Sequence, residues 1–294
     1  DEVCPGDIYT IDPAHRPTLD AMVAIYEQAK DWQQVCHYKR IILDNVFDGE
    51  ERFKMLVDIG DIWGDGGRGK APIKAIEAYD EALELKPQDH VLLHKLLQVC
   101  QAAQQWERMI DTLQRIADLE ANPERRSKYF FTMAQLYRDG VQDQERAVDY
   151  FNQALDLNPG YLEAFERINK ILTAQKDFKQ LERAYRKMLH RLRNFLKAEV
   201  GTQKKEDVEF SLWHALGLIY RDRLKEPQNA IEAFKNASAL RPGDRTEHEI
   251  LSELYTETGQ LEPAVVEYQA MLRIDPMRVD PYRKLYELYR EQQA

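Results

Sequence analysis

The chain has 294 residues and almost none of the features that mark a catalytic, secreted or membrane protein. It has three cysteines, Cys4, Cys36 and Cys100, too few and too widely spaced for a disulfide framework. That scarcity favours a reducing compartment, with the cytoplasm as the expectation. No run of 18 apolar residues occurs, so no membrane-spanning helix is expected. No signal peptide is recognisable. There is no surplus of basic residues either. Forty-one Lys and Arg face 51 Asp and Glu, for a net charge of −10. A surface that neutralises phosphates needs the opposite balance, so nucleic acid is not an expected partner.

Catalytic and metal motifs are also missing. Residues 64–70 fit the first seven places of a phosphate-binding loop, but the eighth, which should be Ser or Thr, is Ala71. The residues before it, Leu56 to Trp63, are helical in pattern where a strand is required. The stretch reads as a glycine-rich turn. His90 and His94 could share a helix face, yet no Glu follows His90 as a zinc protease would need. Asn236 heads a formal glycosylation sequon inside a helical pattern and is discounted. No catalytic residue, metal or cofactor is expected.

What the sequence does contain is a phrase repeated at nearly fixed spacing. Its clearest copy runs through Trp213, Leu216, Gly217, Tyr220, Ala230, Phe234, Ala237 and Pro242. The same skeleton passes through Leu56, Ile59, Gly60, Trp63, Ala75, Tyr79, Ala82 and Pro87. It returns at Phe130, Met133, Ala134, Tyr137, Ala147, Phe151, Ala154 and Pro159, and again from His248 to Pro276. First anchors fall at Leu19, Leu56, Leu93, Phe130, Phe165, Trp213, His248 and Tyr282. They are separated by 37, 37, 37, 35, 48, 35 and 34 residues. Such periods signal a solenoid.

Within a copy the first four anchors lie at i, i+3, i+4 and i+7, one stripe of an α-helix, and the next three form a stripe on a second helix. Breaks such as Asp139-Gly140 and Thr258-Gly259 separate the two. Pro87, Pro159, Pro242 and Pro276 end the second helix. Small residues (Gly60, Ala134, Gly217) should sit where helices approach closely. Rings at Trp63, Tyr137, Tyr220 and Tyr255 should fill the space between hairpins, and Cys100 should be a small buried hydrophobe.

The pattern resembles the tetratricopeptide repeat family, almost point for point over 210–244 and well over 53–89, 127–161 and 245–278. The resemblance implies an all-α fold, an α-α superhelix forming a right-handed solenoid of stacked antiparallel helix hairpins. It implies a lead-in from a preceding repeat over 1–15 and an array over 16–294 of about seven repeats plus the first helix of an eighth. The chain is accordingly expected to be a segment of a longer repeat protein. A chaperone-carboxylate clamp is not expected, because no unit carries its Lys-Asn pair.

In this family the first helix of each unit lines a concave groove. The register implies that Lys128, Phe131, Gln135, Arg138, Lys170, His214 and Arg221 form a partner-binding groove, mixed to basic at its middle, for a protein or peptide segment of acidic character. Asp58, Asp61 and Asp65 at one end, and Glu249, Glu253 and Glu257 at the other, should be acidic. The 48-residue step implies a long-helix insertion near 196–209. The apolar stripe Leu181, Tyr185, Met188, Leu189, Leu192 and Leu196 extends that helix, and Arg186, Lys187, Arg191 and Arg193 give it a secondary basic face. The segment near 181–205 could serve homo-oligomerisation or an acidic partner. The function expected is a non-enzymatic scaffold that binds partner segments in its groove. The alternatives are a regulatory array of a larger signalling or enzyme-containing protein, or an assembly factor for an exported complex.

Overall fold

A computed structural model describes residues 14–64, 68–195 and 197–292. Cys4, Asp65, Leu196 and nearly all of the 1–15 lead-in lie outside the described residues. The fold is all-α and built from antiparallel hairpins, as the repeat predicts. The chain divides into two compact units, residues 1–147 and 148–294.

The first unit carries the hairpins α1 (Arg16–Ala29) with α2 (Trp32–Asp44), α3 (Gly49–Gly64) with α4 (Pro72–Leu85), and α5 (His90–Ala102) with α6 (Trp106–Leu119). These are followed by α7 (Pro123–Leu136), which continues as a π turn over Tyr137–Val141. Most of α8 (Gln144–Leu157) belongs to the second unit. That unit continues with α9 (Leu162–Gln175) and α10 (Phe178–Arg193), then a hairpin of β1 (Glu199–Val200) and β2 (Gln203–Lys204). Next come α11 (Lys205–Leu218), extended by a π turn over Ile219–Leu224, and α12 (Pro227–Leu240). The last elements are α13 (Arg245–Glu257), α14 (Leu261–Ile274) and α15 (Val279–Gln292).

Local chemistry sets the boundaries. Asp31, Asp89, Asn122, Asp177 and Asp244 each cap a helix by accepting from a free backbone N–H of its first turn. Pro72, Pro123 and Pro227 open helices at positions where a missing N–H costs nothing. The second helices α4, α8, α12 and α14 end at Leu85, Leu157, Leu240 and Ile274, each two residues before the proline.

Most anchors are buried as expected, but Trp63 and Trp213 are half-buried and Tyr282 is exposed. Phe234 and Phe151 are fully buried, and Tyr137, Tyr220 and Tyr255 are nearly so. Glycine is required where the hairpin closes most tightly. A Cβ on Gly217 would lie 2.7 Å from the Phe234 ring, and one on Gly60 would lie 2.3 Å from the Tyr79 ring. Burial pushes the Cys36 and Cys100 thiols up to about 11, so both behave as inert packing groups.

Two expectations need correction. The first concerns the turns inside hairpins. Gly140 is not the break between the two helices. It lies in the π turn, where the Trp106 ring would meet a Cβ at 2.8 Å. The left-handed residues of these turns, among the described residues, are Lys30, Lys70, Gln104, Gln142, Lys176, Lys225 and Gly259, with φ between 50° and 72°. Six of the seven therefore carry a side chain in a conformation that disfavours one.

The second concerns the insertion. α10 stops at Arg193, only two residues longer than the 14-residue helices around it. The extra sequence is not helix but a β-hairpin, with Glu199 opposite Lys204 and Val200 opposite Gln203. Gly201, at φ +64°, supplies the turn conformation that a two-residue hairpin loop demands. Val200 is fully buried, and Gly201 lies against Gly160 in the loop joining α8 to α9 and Leu162 at the start of α9. Pairing within the insertion satisfies backbone groups that a longer helix would have satisfied in its own ladder.

Two stability outcomes follow. Gly217→Ala should destabilise the chain by about 1–3 kcal/mol in urea unfolding, because the Phe234 ring has nowhere to retreat. Gly243→Ala, where a Cβ meets nothing within 4 Å, should be near neutral. Lys176→Gly should raise stability by up to about 1 kcal/mol, relief of left-handed strain exceeding the entropic cost of glycine.

Candidate functional site

The groove positions divide between the two units. Lys128, Gln135 and Arg138 lie on α7 and its π turn, with Lys128 exposed and the other two half-buried. Phe131 does not join them. It is 6 % exposed, packed away from solvent rather than presented to a partner. Its register places it between anchors, but a ring at that position is drawn into the apolar interior. In the second unit Lys170 is exposed on α9, while His214 and Arg221 are half-buried on α11 and its π turn.

The charges on this surface are largely compensated by neighbours. Arg138 makes two 2.7 Å hydrogen bonds to Asp139, one to each carboxylate oxygen. Arg221 holds Asp222 the same way, at 2.7 and 3.1 Å. The Asp222 carboxyl is pulled below its ordinary range by the guanidinium. Both pairs sit on π turns and both follow a tyrosine. This Tyr-Arg-Asp recurrence at 137–139 and 220–222 was visible in the sequence, and it signals a cation supplied with its own counter-ion. The acidic end of the first unit is compensated too. Lys39 pairs with Asp58, and Lys95 reaches both oxygens of Asp61 at 2.7 Å. In α13, Glu249 accepts from Arg245 and Arg278. Lys128, Lys170, Glu253 and Glu257 make no ion pair among the described residues.

Within the second unit, Arg221 and Asp222 border a cleft of about 460 Å³ whose other walls include Ile250, Leu254, Glu253 and Glu257 of α13. Here a first-helix end, an apolar floor and two unpaired carboxylates meet. His214 does not line it. Its Nδ1 lies 2.5 Å from Glu247 Oε1, and the Glu247 side chain is 1 % exposed. The imidazole is sandwiched, stacked on Phe210 and edge-on to Phe234. It therefore acts as a tie between α11 and α13, not as a presented group. His248 is a second such tie. Nδ1 lies 2.6 Å from Glu267, and Nε2 lies 3.0 Å from the Pro242 carbonyl oxygen. Two acceptors facing one ring favour the form that carries a proton on both nitrogens.

The basic face of α10 is narrower than expected. Arg186, Lys187 and Arg193 are exposed, but Arg191 is 7 % exposed and turned inward. It donates to Asp156 at 2.8 Å and to the Asn152 carbonyl at 3.0 Å, joining α10 to α8. No group of three or more His, Cys, Asp or Glu side chains able to hold a metal occurs among the described residues, and His90 and His94 are exposed. No helix among the described residues is long and apolar enough to cross a membrane.

The family signature of the tetratricopeptide repeat matches residues 127–161 and 210–244, the two hairpins that carry the π turns. These two segments are tetratricopeptide repeats. No curated protein sequence matches it. Among solved structures it is similar to YrrB, described as a tetratricopeptide repeat protein with an unusual peptide-binding site. The identity is 18 %, over 57 % of this chain and 78 % of that one, with a TM-score of 0.36. It is also similar to the Naa15/Naa10 complex bound to HypK-THB, at 16 % identity over 93 % of this chain and 38 % of that one, with a TM-score of 0.43. The Cut9–Hcn1 hetero-tetramer matches at 14 % identity over 97 % and 51 % of the chains, with a TM-score of 0.34.

The histidine ties make stability depend on pH in a defined direction. The Glu247 hydrogen bond raises the His214 pKa against the opposing effect of burial. For His248, burial pushes down, but the bonds to Glu267 and the Pro242 carbonyl more than offset it. A raised folded pKa gives stabilisation that is complete below the unfolded histidine value, near 6.5, and is lost as pH rises through the folded value. The urea midpoint should fall as pH is raised above about 6.5. A His214→Asn/His248→Asn double variant, less stable at low pH, should lose most of that slope.

Proposed function

We propose that this chain is a non-enzymatic scaffold that holds an extended segment of a partner protein along its first-helix surface. The observation that supports this reading most is the character of the positions between core anchors. They are polar or charged, belong to rigid helices, and include unpaired side chains of both signs. A binding surface on a repeat array is supplied residue by residue from successive units, while the core below it only sets the spacing.

Lys128, Gln135 and Arg138 of the first unit, and Lys170 and Arg221 of the second, are the residues assigned to partner contact. The cleft walled by Arg221, Ile250, Leu254, Glu253 and Glu257 would accept an apolar side chain with a polar end. Arg138 and Arg221 are poised rather than vacant. Each already spends its guanidinium on the adjacent aspartate, an exposed pairing worth about 1 kcal/mol or less. An incoming carboxylate can therefore take over the arginine at small cost. Such an exchange favours acidic segments without leaving an unpaired cation in the free protein. Whether the array works alone or as the regulatory part of a larger signalling or enzyme-containing protein does not alter this chemistry.

Capture from a native lysate tests the proposal. The intact chain and an Arg138→Glu/Lys170→Glu variant are immobilised side by side, and bound proteins are quantified. The expected result is a protein retained by the unmodified chain and reduced about tenfold or more by the variant, as two reversed contacts imply. Equal retention of every captured protein by both would overturn the assignment.

A further inference from the structure

A second surface, in the second unit, carries exposed cations of its own. A cleft of about 480 Å³ opens between α10, α11 and α12. Arg186, His190 and Arg193 of α10 and Lys205 of α11 surround it, with Leu189 and Trp213 as its apolar lining. Asn236 of α12 adds an amide, held by a 2.7 Å bond to the Glu232 carbonyl. The one carboxylate at the cleft, Glu209, is 3.8 Å from the Lys205 ammonium.

We propose that this cleft is a second binding site, for an acidic protein segment that carries an apolar side chain. Three observations point the same way. First, the cations are available. Arg193 makes no ion pair among the described residues, and Arg186 reaches only Glu182, at 3.4 Å, with its side chain 68 % exposed. Glu182 is itself engaged by the Tyr220 hydroxyl. Second, the charge is concentrated. α10 holds Lys179, Arg183, Arg186, Lys187, Arg191 and Arg193 against Glu182 alone, with Lys187 and Arg191 answered by Asp156 of α8, in a chain whose net charge is −10. A local field opposite in sign to the whole molecule steers an acidic partner to this place. Third, the lining is mixed. An indole and a leucine beneath a ring of Arg and Lys suit a segment that alternates carboxylates with an apolar anchor.

The cleft shares no lining residue with the partner-contact positions assigned above. Its two main walls are the helices on either side of the β-hairpin insertion, at the one place where the repeat spacing departs most from its neighbours. Nucleic acid is the less fitting occupant. The basic groups surround one compact cleft with a single indole, not a stripe that tracks a backbone with a series of stacking rings.

Fluorescence anisotropy on the full chain tests the site. The probe is a fluorescein-labelled glutamate-rich peptide with a central leucine pair, with a lysine-rich peptide of equal length and a single-stranded RNA as comparisons. The glutamate peptide should bind, more weakly as salt rises, and the lysine peptide should not. Arg186→Glu/Arg193→Glu should weaken it about tenfold, and Arg193→Gln by less. Both arginines are exposed, so thermal unfolding should show the variants folded. Lys54→Glu/Arg283→Glu, at exposed positions on α3 and α15 outside both sites, should leave the peptide affinity unchanged. The site is refuted if the peptide binds the cleft variant as well as the parent, if the Lys54/Arg283 variant loses it equally, or if RNA binds more tightly than the peptide.

Discussion

Everything in this chain rests on an interlock between a residue with no side chain and a residue with a ring. Where Gly60 faces Tyr79 and Gly217 faces Phe234, two helices close to a separation that a single methyl group would prevent. That closeness makes each hairpin a rigid plate. Rigid plates present the residues between anchors at a repeating spacing, so surface chemistry can be set position by position without touching the core. The His214–Glu247 tie and the pairing of buried Arg191 with Asp156 then join one plate to another within the second unit, while His248–Glu267 joins the two helices of one plate. Such ties are directional, in contrast to apolar packing, and they fix register as well as adding stability.

The hairpins were legible because their information is periodic. Anchors at i, i+3, i+4 and i+7 leave little choice of period, and prolines two residues past four of the second helices mark their ends. What could not be read depended on competition between non-periodic effects. Phe131 occupies a position that register alone calls exposed, yet a phenyl group gains more from burial than the helix pattern records. Arg191 looks like one more cation on a basic face. It turns inward because Asp156 and Asn152, far away in sequence, offer its guanidinium a carboxylate and a carbonyl.

The insertion was misread for a different reason. An apolar stripe from Leu181 onward can continue as helix or stop, and periodicity does not say where. The deciding residues were Val200 and Gly201, a β-branched residue followed by a glycine that can enter the left-handed region. The candidate groove was read only in outline. Its candidate residues fall on first helices and on the π turns that extend them, but their charges were counted as free. The Arg-Asp pairs at 138–139 and 221–222 show that adjacent residues at the end of a helix can cancel each other before any partner arrives.

The π turns account for an irregularity in the spacing. The unit that starts at His248 has no π turn and spans 34 residues to the next first anchor. The units that start at Phe130 and Trp213 both carry one, and both span 35. A π turn winds one more residue into a helix than an α turn does. The thirty-fifth residue is therefore stored inside the first helix instead of lengthening a loop. An insertion of a single residue has been absorbed as extra winding, and the second helix downstream keeps its phase against the core.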